Sequence, residues 1–180
     1  AKLIVTQADL VTFPKDSNEP TDTAKAQLRA DIARAGAIDP NMAEIQLAEV
    51  ELMRRWNISE IVRLVDKAKM LDSDNPAVLS ARSESLQLVG RMEEAIVDAD
   101  RAAQLDPLSP QTRTALIRAL AYGGVIGRAR QELARAKMLW PGTITIRDAE
   151  DALELRFGDF ERFMANDTDP AARFYIQARH

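Results

Sequence analysis

AKMLDSDNPAVL (68–79), AAQLDPLSPQTR (102–113) and AKMLWPGTITIR (136–147) superimpose without a gap, each beginning 34 residues after the one before. Leu71, Leu105 and Leu139 fall in step, and so do Gly90, Gly124 and Gly158, then Met92, Ile126 and Phe160. Ala102 matches Ala68 and Ala136, and Ala95 matches Ala129. A chance echo in an Ala- and Leu-rich chain does not keep register at so many positions. The chain is built from a unit of 34 residues.

Each unit reads as two helices. From Pro76 to Val89 the apolar residues Val78, Leu79, Leu86, Leu88 and Val89 alternate with polar ones, and Gly90 then supplies the left-handed residue that closes a helix. From Met92 to Leu105, Met92, Ala95, Ile96, Ala99, Ala102, Ala103 and Leu105 recur at the 3- and 4-residue spacing of an apolar stripe. The run stops at DPLSP, where Pro107 and Pro110 disfavour continued helix and Pro110 suits the first turn of the next one. Ala95, Ala99 and Ala102 are small enough to let two antiparallel helices approach closely. Leu71 and Leu139 are expected to close the stripe, and the Lys and Met inside the two AKML copies are expected to matter least.

These features resemble the tetratricopeptide repeat, a helix–turn–helix unit that stacks into a right-handed superhelix. The resemblance rests on the small residues opening the second helix (Ala95, Ala129) and in its last turns (Ala102, Ala136), on the turn glycines, and on Asp106–Pro107. Upstream, AIDPN (37–41) with Leu28 and Ala35 looks like the end of an earlier second helix. The unit from Ala43 to Leu71 is about one residue short around RRWNIS, and Ile144–Phe163 is a weaker unit in which Phe163 replaces the expected small residue. Leu79 and Arg113 stand where the family usually has a large aromatic, and Ala99 and Leu133 where it has a bulky Phe. The implied fold is all-α, an α-solenoid of about four hairpins over residues 22–165. Residues 1–21 read as an extended segment and linker, and 166–180 as a cap with Phe174 and Ala178 on one helical face.

The chemistry on offer is narrow. There is no Cys, and the one histidine, His180, is the last residue, so nucleophilic triads and N/S zinc sites are not available. A net charge of −4 gives no basic excess for nucleic acid, and no apolar run is long enough to span a membrane. YGGVIG (122–127) lacks the Lys-Ser/Thr of a phosphate loop and falls at the inter-helix turn. DSDNP (72–76) lacks the Gly and Glu of a calcium loop and reads as a linker. Glu93–Glu94 and Asp148/Asp151 read as a solvated face. Trp56 and Trp140 sit at a turn and a hinge and read as packing residues. No catalytic residue, cofactor or metal is expected. The chain starts on AKLIV without a Met, as a processed form or an excised fragment would.

In repeats of this kind the first helix of each pair lines a concave binding surface. Carried onto this sequence, the resemblance implies a groove of Glu44, Leu47 and Glu51, then Ser80, Glu84 and Gln87, then Gln111, Thr114, Arg118 and Tyr122. Asp148, Ala152 and Leu155 follow from the last hairpin. The family's best-understood groove grips C-terminal carboxylates with Lys and Asn. Ser80, Glu84, Thr114 and Arg118 hold the corresponding positions here, so that clamp is absent. An extended polar peptide or protein loop is the expected partner, with basic character opposite Glu44, Glu51 and Glu84. The LDPLSP hinge and alanine-rich units also resemble the repeat region that follows a winged helix in bacterial one-component regulators. In that setting DNA binding belongs to another segment. The alternatives are a periplasmic factor for assembling membrane complexes and a self-associating scaffold. Cytoplasm and periplasm both stay open.

Overall fold

Helix ends repeat with the sequence. Asn75 accepts hydrogen bonds through its side chain from the amides of Ala77 and Val78, at 3.0 and 3.4 Å, and Pro76 fills the first helical position. Ser109 Oγ does the same for Thr112 N, with Pro110 behind it. At the other end, Arg91 N reaches Leu86 O and Gly90 N reaches Gln87 O. One period later Val125 N reaches Leu120 O and Gly124 N reaches Ala121 O. Both closures need a left-handed residue, supplied by Gly90 (φ 78°) and Gly124 (φ 79°).

The computed structural model describes residues 22–53 and 57–157. These residues form eight helices and no strand: α1 (Asp22–Ile38), α2 (Ala43–Glu51), α3 (Ile58–Leu71), α4 (Pro76–Leu88), α5 (Met92–Leu105), α6 (Pro110–Tyr122), α7 (Ile126–Leu139) and α8 (Ile144–Phe157). The predicted bounds of α5 and the Pro110 start of α6 are reproduced. The fold is an all-α helical repeat. Trp56, Phe160, Phe163, the N-terminal segment and the C-terminal cap lie outside the described residues.

Consecutive helices pack as antiparallel pairs (α2/α3, α4/α5, α6/α7), and each second helix also lies on the following first helix. First helices of successive hairpins touch as well: α2 on α4, α4 on α6, α6 on α8. Among the described residues no comparable packing joins α3 to α5 or α5 to α7. One layer is therefore spaced more tightly than the other, and the stack curves toward its first helices.

The alanines permit that spacing. Ala68, Ala95, Ala99, Ala102, Ala129 and Ala136 are all 0% exposed. Around them Leu79, Leu86, Leu116, Ile117, Leu120 and Leu153 are fully buried, each contributing roughly 1.5–3 kcal/mol. Trp140 packs against the largest cluster, as the sequence reading expected. The leucines differ from expectation. Leu71 and Leu139 are 37% and 58% exposed, because each ends its helix and overhangs the hinge. The stripe is completed three residues earlier, by Ala68 and Ala136.

Two stability effects follow. Ala95→Leu or Ala102→Leu overpacks a helix pair and costs about 1–3 kcal/mol in urea unfolding. Gly124→Ala forces a left-handed alanine and costs about 1 kcal/mol. Gly127→Ala, helical with open space at its Cβ, leaves stability unchanged or raises it by up to about 1 kcal/mol.

Candidate functional site

Residues at the second, fifth and ninth positions of each first helix recur on one side of that helix, and packing α2, α4, α6 and α8 together sets them in rows. Direct bonds show the rows in contact. Arg118 Nη1 on α6 donates to Glu84 Oε1 on α4, at 3.5 Å and one full period away. Thr114 Oγ1 donates to the carbonyl of Thr145 on α8, at 3.2 Å. Asn75, which caps α4, donates through Nδ2 to Glu44 Oε1 on α2 at 3.4 Å. Residues from four helices thus form one continuous face.

The predicted groove residues take different roles on it. Glu51, Glu84, Gln111 and Asp148 are exposed, while Glu44, Ser80, Gln87, Arg118 and Tyr122 are half-buried. Gln111 Oε1 accepts from Ser109 Oγ at 3.2 Å. Thr114, at 9% exposure, spends its hydroxyl on the next helix and works as a tie beneath the surface. Leu47 packs against Ala43, Ala68 and Val78 and belongs to the core as much as to the face. The Leu155 side chain is outside the described set. Gln87 Nε2 donates to the carbonyl and hydroxyl of Ser83, at 3.1 and 3.2 Å. The remaining polar atom of that side chain, Oε1, is buried without a partner, as are Ser80 Oγ and Thr145 Oγ1. A buried polar atom in that state gains most from an incoming donor or acceptor.

The second helices carry an electrostatic feature absent from the sequence reading. Asp98 on α5 and Glu132 on α7 are one period apart, and their side chains are 7% and 8% exposed. Asp98 accepts from Arg82 Nη1 at 2.5 Å and Lys69 Nζ at 2.9 Å, and Arg82 Nε also reaches Asp66 at 2.8 Å. Glu132 accepts from Arg113 at 2.7 Å and Arg135 at 3.2 Å. Burial works against the Arg82 charge, and hydrogen bonds to Asp66 and Asp98 outweigh it, leaving its pKa above the ordinary arginine value. The lysines of AKML, expected to matter least, take part: Lys69 meets Asp98, and Lys137 meets Glu150 at 2.7 Å. Met70 and Met138 are exposed, as that reading held. The matching register of Asp98 and Glu132 was the available signal.

Of the motifs set aside earlier, DSDNP supplies the Asn75 cap, and YGGVIG is the turn between α6 and α7. Glu93 and Glu94 are exposed, Glu94 paired with Arg91. No group of three or more His, Cys, Asp or Glu among the described residues is arranged to hold a metal ion.

Comparison with protein-family models finds no match. A curated relative, the TPR repeat-containing thioredoxin TTL4 of Arabidopsis thaliana, is 34% identical over 74 residues, covering 41% of this chain. The chain spans only 11% of that relative's length. Among solved structures, YrrB, described as a TPR protein with an unusual peptide-binding site, superimposes with a TM-score of 0.54 at 14% identity. The match covers 90% of this chain and 89% of YrrB. The second TPR domain of human RPAP3, solved with an HSP70 peptide, gives 0.47 at 17% identity over 55% of this chain and 82% of its own.

Removing the shared acid tests the buried network. Asp98→Ala strips Lys69 of its partner, leaves Arg82 with Asp66 alone, and is expected to lower unfolding free energy by about 2–3 kcal/mol. Asp74→Ala, which breaks only the exposed pair with Arg101, changes it by less than about 0.5 kcal/mol.

Proposed function

We propose, from the premise that the chain has the tetratricopeptide-repeat fold, that it is a non-enzymatic interaction module receiving an extended peptide or protein loop on its first-helix face. The observation that carries this reading is the set of bonds joining α2 to α4, α4 to α6 and α6 to α8. They hold polar side chains from successive hairpins on one continuous, partly exposed surface. A surface that repeats by one helix per step suits a ligand that itself repeats, as an extended chain does. The peptide-binding site named for YrrB, a protein of the same fold, agrees with it.

The setting of a bacterial transcription regulator belongs to the same proposal. It rests on the likeness of the LDPLSP hinge and the alanine-rich units, and DNA binding would fall to a separate winged helix. The sequence of the parent gene around this segment decides that point.

An unbiased array of peptides about ten residues long tests the binding reading. Gln111→Trp places a large ring on the exposed first-helix face and is expected to abolish binding. Val97→Trp, on the exposed side of α5, is expected to leave it unchanged. Binding lost in the second variant and kept in the first would overturn the assignment of the face.

A further inference from the structure

Three helices carry a buried acid at the same point. Asp31 on α1, Asp98 on α5 and Glu132 on α7 each stand seven residues before the apolar residue that ends the helix, Ile38, Leu105 or Leu139. Asp31 is 4% exposed, as deeply buried as the other two. Glu132 accepts from Arg135, three residues on in its own helix, and from Arg113 on the first helix of its hairpin. Asp98 likewise takes Arg82 from its first helix, 16 residues upstream. Asp31 repeats half of this arrangement. Its Oδ1 accepts from Arg34, three residues on in its own helix, and from Gln27 at 3.2 Å. Its Oδ2 is buried and accepts no hydrogen bond. A carboxylate oxygen in that state has lost water without a replacement, and a cationic donor is what it lacks.

Among the described residues no first helix precedes α1, and in chain order that place falls to residues 1–21. The cations there are Lys2 and Lys15. Lys15 stands 16 residues before Asp31, the interval that separates Arg82 from Asp98. Reach agrees with register. Asp31 lies nine residues beyond the Asp22 start of α1, or about 13–14 Å along the helix axis. Lys15 lies seven residues before Asp22, and that much chain spans up to about 23–25 Å. A chain that reverses before Asp22 brings Lys15 level with Asp31 with length to spare. Asp16, Ser17, Asn18 and Pro20, all residues that favour turns, stand between them.

We propose that the flank of α1 around Asp31 is the docking site of residues 1–21, which fold back along it as the N-terminal cap of the array, with the Lys15 ammonium donating to Asp31 Oδ2. The segment takes over Asp31 the place that α4 takes over Asp98 and α6 over Glu132. Arg34 and Lys15 then serve Asp31 as Arg135 and Arg113 serve Glu132. The end helix of a stack has a flank that no further repeat covers, and a segment of the same chain covers this one. No residue of the first-helix rows takes part, so the inference stands apart from the binding reading above.

Amide hydrogen exchange on the full chain tests this. Lys15→Met is expected to speed exchange over residues 28–35 roughly tenfold and to leave residues 116–120 of α6 unchanged. Lys2→Met is expected to change neither. Lys15→Met combined with Asp31→Asn is expected to exchange no faster than Asp31→Asn alone, because the two changes remove one shared contact. The chain has no cysteine, so a pair of introduced thiols reads proximity directly. Lys15→Cys with Gln27→Cys, exposed and one turn from Asp31, is expected to be joined within one chain by a short bismaleimide. Lys2→Cys with Gln27→Cys is expected to join at least tenfold more slowly. Unchanged exchange in Lys15→Met, a larger effect from Lys2→Met, additive effects in the double variant, or equal cross-linking of the two thiol pairs overturns the inference.

Discussion

Everything in this molecule depends on how closely two helices can lie. Ala68, Ala102 and Ala136 at one point of the second helices, and Ala95 and Ala129 at another, are completely shielded from solvent. With alanine at the first of those points in every second helix from α3 to α7, each hairpin closes on itself and still presents a flank to the next. The leucines and isoleucines of the first helices then fill what remains, chiefly Leu79, Leu86, Leu116, Ile117 and Leu120. The tighter spacing of the first helices follows from the same geometry, and with it the continuous polar face. A binding surface here is a by-product of small residues placed elsewhere.

The architecture was legible because its signals are local. Gly90 and Gly124 adopt the left-handed conformation that a glycine after an apolar run announces, and Pro76 and Pro110 begin the helices that follow the hinges. The buried ion network was not legible in the same way. Asp98 meets Arg82 from 16 residues away and Lys69 from 29, and Glu132 meets Arg113 from 19, distances unrelated to the helical 3- and 4-residue spacing. Within one helix these acids look like a solvated face. They are buried only because the first helix of the same hairpin brings an arginine over them. Thr114 shows the opposite case: a polar residue correctly placed on the first-helix rows, yet turned down onto the carbonyl of the following helix.

Charge has two distinct uses in this chain. On the second helices Asp98 and Glu132 are removed from water and each compensated by two cations, which fixes neighbouring helices in orientation more than it adds net stability. On the first helices Glu51, Glu84 and Asp148 remain in water, where an ion pair contributes little. Both sets are acidic and both repeat with the hairpins. Burial alone separates the structural acids from the ones open to a ligand.

Repeat arrays are commonly described as beads whose stabilities sum with nearest-neighbour terms. The Lys69–Asp98–Arg82–Asp66 cluster adds to one such term, because its four members come from three helices in two adjacent hairpins. Lys69 and Asp66 belong to α3, and opening the α2/α3 hairpin would strip two charges from a partly buried quartet whose other half sits between α4 and α5. Fraying from the N-terminal side is therefore costlier at the junction of these two hairpins than their apolar contacts alone would make it. The ion cluster thus couples the opening of one hairpin to the next.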